Sequence, residues 1–423
     1  MKRTSLARFL GIAGVLGAAI LIFCLGLSRA QSSGGHLDLN LPGVQLMDYY
    51  YDYSDPAIGH RIYQHIFNGT SYQAAWKSGP LPYQSPDLPG DAKVRIGDID
   101  NDGQREVVAS TWYVTLRERV KKALVDHSDF RILVYKAGCL NEGSPLIESP
   151  PLGEIDGTII NDSAIGDVDN LGALLGRPHN ELVLARTFQV DLWRYDLPAV
   201  TETIGHVSGY LYGIDIGDAD NDIKNEIVVT SQGAPYPIIF KYENGAWGKI
   251  LADPVPAQYF GAGSTSLSLF YAKVRDADND GLKEIIACGT NGRLMVWKYD
   301  GSGYRLKFVG DYLGVNTAHA IDAGDIGGGK NEILLNVWGE RKFPSRIVRY
   351  SYDLASKKYV QIASYVSPLH VYDLVLGNMD GKPGLEVGLN CYTSGLYVYG
   401  LSSGNFVQVY TAPSDGTGKI EIK

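Results

Sequence analysis

Cysteine is scarce, with four in 423 residues. Beyond the first thirty positions only Cys139, Cys288 and Cys391 remain, an odd and widely spaced set that excludes a disulfide framework. Cys288 and Cys391 each close an apolar run and read as buried thiols. Histidine is sparse too: His36, His60, His65, His127, His179, His206, His319 and His370, none of them paired at a metal-binding spacing. No G-x-S-x-G stands at a strand-to-helix elbow, since the one match, over 400–404, is followed by a β-like run, and there is no H-E-x-x-H, so two common hydrolase readings find no support. A basic surplus is also missing. Lys and Arg total 38 against 47 Asp and Glu, so nothing proposes a nucleic-acid partner. Helical periodicity is nearly absent; the exception is 113–130, whose Val114, Leu116, Val120, Leu124 and Val125 among charges predict a helix.

Long hydrophobic runs are confined to one place. Lys2, Arg3 and Arg8 precede an uncharged stretch over 9–27, and Ser28-Arg29-Ala30 offers small residues around a cut before Gln31. Residues 1–30 are read as a signal peptide or membrane anchor, and in both cases the positive-inside orientation carries the rest of the chain out of the cytoplasm, to the cell surface or beyond. Membrane contact is then expected only through 9–27, if that segment stays uncleaved. Residues 31–45 read as a linker, and 46–423 as one domain.

What the chain has in quantity is glycine, tyrosine and a repeated acidic loop. Asp98-x-Asp100-x-Asp102-Gly103-x-x-Glu106 sits between the β-like runs 93–96 and 107–109. Alternate oxygen-bearing side chains with a glycine at the sharp turn are how a short loop wraps a hard cation. Relatives begin at Asp167, Asp218, Asp276, Asp325 and Asn378, at intervals of 49 to 69 residues. Each is followed by an acid and an apolar strand, then by a strand with an aromatic end: Tyr135, Trp193, Phe240, Trp297, Tyr350 and Tyr399. Four short strands per repeat predict an all-β chain folded as a β-propeller of four-stranded antiparallel blades. Loop-bearing blades start near 90, 159, 210, 268, 317 and 370. Residues 46–89 supply a blade without a metal loop, with an outer hairpin over 61–76. The tail 419–423 is the candidate strand that closes the ring. Seven blades are expected, with six as the alternative.

Repeats of G-D-x-D-x-D-G-x-x-E before an apolar strand resemble the FG-GAP, or VCBS, repeat of integrin α-subunit propellers and exported microbial proteins. The resemblance covers about 90–423. It implies calcium in the loop that joins the first two strands of a blade. Carried over, the ligands are Asp98, Asp100, Asp102 and Glu106; Asp218, Asp220, Asp222 and Glu226; Asp276, Asp278, Asp280 and Glu284. The carbonyls of Gln104, Lys224 and Leu282 take loop position 7. The last loop keeps Asn378, Asp380 and Glu386 but has Lys382 at position 5, which leaves its metal in doubt. The second loop has Leu171 at position 5 and is lengthened before Glu181, and the fifth retains only Asp325 and Glu332; no calcium is expected in those two. All side-chain positions come from the loop itself, so the calcium reads as structural.

Two further sets lie on the innermost strands. Three residues before loop position 1 stand Arg95, Ala164, Asp215, Lys273, Asp322 and Val375, which are expected to line the central channel. Six before stand Ala92, Asn161, Tyr212, Phe270, His319 and Tyr372, near its mouth. Cross-pairing of the charges between blades, and wedging of the aromatics between them, competes with a ligand role for Tyr212, Phe270, His319 and Tyr372. The functional expectation is an exported calcium-binding propeller that recognises a protein or glycan at one face. The alternatives are a polysaccharide lyase or glycosidase, and a scaffold module of a surface assembly.

Overall fold

In the computed structural model the residues described are 37, 45–51, 60–67, 72–79, 81, 90–120, 123–140, 143–150, 152, 159–176, 179–198, 201–261, 264–313, 317–338, 345–367, 371–378, 383–391, 395–402, 404–412 and 421–422. Residues 1–30 therefore lie outside them. Among the described residues, strands pair into seven four-stranded antiparallel sheets. Six are contiguous in sequence: 90–148, 160–206, 211–251, 269–309, 317–366 and 371–412. We call these the first to sixth blades. The seventh is composite: Glu421–Ile422, Gln45–Tyr51, His60–Phe67 and Tyr72–Lys77, in that order.

The innermost strands pack in succession around one axis, each against the next, and Glu421–Ile422 fills the place between Val371–Gly377 and Gly90–Gly97. It pairs Leu46 with Ile422 and Met47 with Glu421, so the chain's two ends close the ring. The expected outer hairpin is present, with Phe67 opposite Tyr72 and Tyr63 opposite Lys77.

Burial explains which run became which strand. The strand after each loop is buried along its whole length in Glu181–Arg186, Glu226–Ser231, Glu284–Gly289 and Glu386–Cys391. It lies between its own blade's neighbours and the next blade, so a continuous apolar run suits it. Outermost strands such as Ala246–Leu251 are mostly exposed and tolerate polar residues. The third-strand aromatics Tyr135, Trp193, Phe240, Trp297, Tyr350 and Tyr399 are all buried. Cys288 and Cys391 are buried free thiols, with burial pushing Cys391 up to about 12, while Cys139 is only partly buried. Within the segment read as a linker, Leu37 is buried, and its N–H donates to the Cys139 carbonyl at 2.8 Å.

One expectation is overturned. The stretch 113–130 is not helical. It extends the two middle strands of the first blade into a long hairpin, Glu106–Val120 against Ala123–Lys136, paired from Glu106↔Lys136 out to Val120↔Ala123. The run Thr111-Trp112-Tyr113-Val114-Thr115 is β-branched and aromatic, and it enters directly from a formed strand. Lengthening a ladder needs no new nucleus, whereas a separate helix needs both a nucleus and a docking face. The described residues contain a single short α-helix, Leu171–Leu175, in the lengthened second loop.

Candidate metal loops and the channel mouth

Each acidic loop joins the innermost strand of a blade to the second. A glycine precedes loop position 1 in most copies because the next blade leaves no room: a Cβ on Gly97 would lie 2.7 Å from Ile165 Cγ2. At position 4, Asn101, Asn170, Asn221 and Asn279 adopt left-handed backbone, with φ of 57° to 63°, which asparagine tolerates. Position 6 is also left-handed, at Gly103, Gly281 and, unexpectedly, Ile223 at φ 70°.

This geometry gathers the acids at positions 1, 3 and 9. Ligand atoms of Asp98, Asp100 and Glu106 lie within 4.8 Å of one another, as do those of Asp218, Asp220 and Glu226, and of Asp276, Asp278 and Glu284. One oxygen of each position-1 aspartate accepts the position-6 N–H: Asp98 from Gly103 at 3.0 Å, Asp218 from Ile223 at 2.9 Å, Asp276 from Gly281 at 3.1 Å. Each position-9 glutamate accepts a position-2 N–H, from Ile99, Ala219 or Ala277. Some of the remaining oxygens are left without a partner. Asp98 Oδ1, Asp220 Oδ1 and Asp276 Oδ1 are buried without a hydrogen bond. The position-5 aspartates stand apart. Asp102, Asp222 and Asp280 lie outside these clusters, accept the N–H of Gln104, Lys224 and Leu282, and are part exposed.

A basic residue accompanies each of these clusters, a feature not singled out from the sequence. Lys136, one residue beyond the buried Tyr135, contacts Asp100 and Asp102. Lys241, beyond Phe240, contacts Asp220, Asp222 and Glu226. Lys298, beyond Trp297, lies 2.9, 2.6 and 2.7 Å from Asp278, Asp280 and Glu284. One ammonium faces four carboxyl groups in each loop, so the acids are in excess. Burial, with the neighbouring aspartates, pushes Glu106, Glu226 and Glu284 up to about 7. Orphaned oxygens, and glutamates whose raised values show too little counter-charge, fit a divalent cation held at positions 1, 3 and 9.

The other loops diverge. In the fifth, Arg349 takes up Glu332 through Nε at 2.9 Å, and Asp325 Oδ1 is spent on the N–H groups of Gly327 and Gly329. In the sixth, Asn378 is exposed and Glu386 buried, while Asp380 and Lys382 lie outside the described residues. The second loop gathers Asp167, Asp169, His179 and Glu181 despite its insertion.

The loops are also tied to one another. Asn101 accepts the N–H of Asn180 in the next blade, and the Asn180 side chain donates to the Asp98 carbonyl at 2.8 Å. Asn170 and Asn225 repeat the clasp, as do Asn279 and Asn331. Between the third and fourth blades Asn221 still accepts from Lys283 N–H, but Lys283 cannot return an amide. The position-4 asparagine thus carries a blade-to-blade role inside what reads as an ordinary turn.

The channel residues pair across blades. Arg95 Nη2 lies 2.5 Å from Asp162, Arg275 bridges Asp215 at 3.1 Å and Asp322 at 2.9 Å, and Lys273 stands 3.5 Å from Asp215. Each acid also accepts a backbone N–H from the following blade: Ile214, Val274 and Leu376. Burial raises the Asp215 carboxyl, but Lys273 and Arg275 outweigh it and hold the group below its ordinary value. The gap left beside Arg95, Asp162 and Lys273 is about 30 Å³, room for little more than water.

The mouth away from the loops is built by β-bulges. Register shifts fall at Ile160/Asp162, Leu211/Ile214, Leu269/Tyr271, Ala318/Ala320 and Val371/Asp373. The extra residues include Asn161, Tyr212, Phe270, His319 and Tyr372. A bulge re-aims its residue, and here it brings the rings of Tyr212, Phe270 and His319 together across adjacent blades. Tyr212 meets Phe270 edge-on at 4.7 Å, Phe270 stacks on His319 at 5.0 Å, and His319 lies 4.3 Å from Trp338. Tyr210 and the exposed Phe188 extend the row. The first blade has Ala92 in this position and no bulge.

Burial lowers His319, and His65 in the seventh blade, to about 4. The folded value lies below the unfolded one near 6.5, so the stabilising contribution is complete above pH 6.5 and is lost as pH falls through 4. Melting temperature should therefore fall across that window, and His65→Leu should flatten the fall. A variant profile parallel to wild type would remove His65 from the effect.

No model of a known protein family matches the chain. No curated protein matches it in sequence. Solved structures do share its fold. A protein provisionally named as a 6-phosphogluconolactonase from Bacteroides fragilis superposes with TM-score 0.50 at 10% identity, covering 91% of this chain and 99% of its own. A protein of unknown function from Desulfotomaculum acetoxidans gives TM-score 0.50 at 12% identity, covering 90% and 98%. At such identities the likeness is one of fold alone.

Proposed function

We propose that the chain is an exported, calcium-stabilised β-propeller that recognises a protein or glycan through the aromatic row at the mouth opposite its metal loops. The observation that carries the reading is the bulge row itself. Tyr212, Phe270 and His319 stand on three consecutive blades, in ring contact and only partly buried. Rigid, partly exposed rings give contact area at small entropic cost and are enriched where partners bind. The charges on the channel axis are satisfied by one another, so recognition is assigned to the rim. Export rests on the pattern of residues 1–30.

A screen of the protein against surface glycans and extracellular proteins, with and without calcium, tests the reading. Phe270→Ala and Tyr212→Ala should each weaken the partner found by roughly tenfold or more while the far-UV spectrum stays unchanged. A partner whose affinity ignores both substitutions would move the binding face elsewhere.

A further inference from the structure

We propose that the second loop is a distinct site for a nitrogen-seeking divalent metal such as Zn²⁺, built by Asp167, Asp169, His179 and Glu181. It goes beyond the recognition role and does not depend on it. Ligand atoms of these four residues lie within 4.8 Å of one another, and no other such group among the described residues contains a nitrogen ligand. The frame is that of the calcium loops. Asp167 Oδ2 accepts the Gly172 N–H at 2.9 Å, and Glu181 Oε2 accepts the Val168 N–H at 3.1 Å.

The inward atoms are what set the site apart. Glu181 is fully buried, and its Oε1 makes no hydrogen bond; the same holds for Asp167 Oδ1 and for His179 Nδ1. His179 Nδ1 stands 2.6 Å from Glu181 Oε1 and 3.4 Å from Asp169 Oδ1. The imidazole and carboxylate are close but not aligned on each other, as donor atoms directed at a shared point would be.

In three other loops the basic residue among the acids is a lysine, and an ammonium offers a cation no lone pair. Here the corresponding third-strand residue is Arg194. It is drawn outward to Glu202 at 2.9 Å and reaches Asp169 only at 3.4 Å. His179 takes the inner place and carries a lone pair. A set of one imidazole and three carboxylates suits zinc or a similar transition metal, whereas calcium takes oxygen ligands in larger number. An opening of about 130 Å³, lined by Asp100, Asn101, His179, Glu181, Arg194 and Tyr195, gives an entry path.

The test is calorimetric titration of the chelator-stripped full chain with zinc chloride, in calcium sufficient to fill the other loops. One zinc per chain is expected. His179→Ala should lose roughly 100-fold in zinc affinity, His179→Asn should lose as much while keeping the side chain's polarity and bulk, and exposed His206→Ala should lose nothing. Cobalt-loaded wild type should show visible absorption of a nitrogen-coordinated ion, a measurement that needs no variant. Absence of zinc binding in the presence of calcium, or wild-type affinity in either His179 variant, would overturn the proposal.

Discussion

Removal of divalent cations is expected to lower the melting temperature by roughly 10 °C or more, with calcium restoring it. Each site at a hundredfold excess over its dissociation constant adds about 2.7 kcal/mol, and the proposal places one in each of the first, third and fourth loops. The physical source is repulsion. Three carboxylates per loop converge within 4.8 Å, and like charges at such separation oppose each other by about 1 to 4 kcal/mol per pair near a surface. Lys136, Lys241 and Lys298 relieve part of this, which makes a sharper experiment possible. Lys298→Met removes the ammonium and leaves the acids. If the dication is the main counter-charge, the variant should be weaker than wild type in chelator and nearly equal in calcium. Equal weakening in both conditions, together with a wild-type melt indifferent to chelator, would show that the lysines alone neutralise the loops.

Much of this was legible in the chain because it repeats. Six acidic loops in phase with apolar strands and aromatic strand ends place the blades, and the strand at 421–422 follows from a ring that needs one more inner strand. The failures have separate physical reasons. The stretch 113–130 carries apolar residues at a helical spacing, yet a β-branched entry from a formed strand decides the matter. His179 is hidden in the sequence because the insertion containing Leu171–Leu175 moves the glutamate away from loop position 9, so the acids no longer read as one motif. The structure restores the geometry because both loop ends are fixed by buried strands. The lysine partners Lys136, Lys241 and Lys298 each follow an aromatic strand end, at Tyr135, Phe240 and Trp297, but a lysine on a strand is ordinary until the acid cluster beside it is known. The asparagine clasp is the subtlest case. Asn101 and Asn180 are 79 positions apart, and only the rotation from blade to blade brings them together.

Deleting residues 419–423 is expected to have the second large effect. Glu421–Ile422 is a two-residue strand, yet it occupies a whole inner-strand place: it pairs with Gln45–Tyr51 and touches the inner strands of both the sixth and first blades. Its loss leaves one edge of Gln45–Tyr51 unpaired and opens two blade seams at once. A cost on the order of 5 kcal/mol follows from the lost backbone pairing and the exposed seam. The exposed inner edge also offers a template to a second chain, so self-association should accompany the loss. Calorimetry should show a lower and broader transition, because the seventh blade no longer melts with the ring. Light scattering should show species larger than the intact protein forms. Supplying the missing strand as a free peptide should reverse both changes in a concentration-dependent way. A truncated chain that melts like the intact one, at the same size, would mean that the six contiguous blades close without it and that the pairing of Leu46 with Ile422 contributes nothing to the ring.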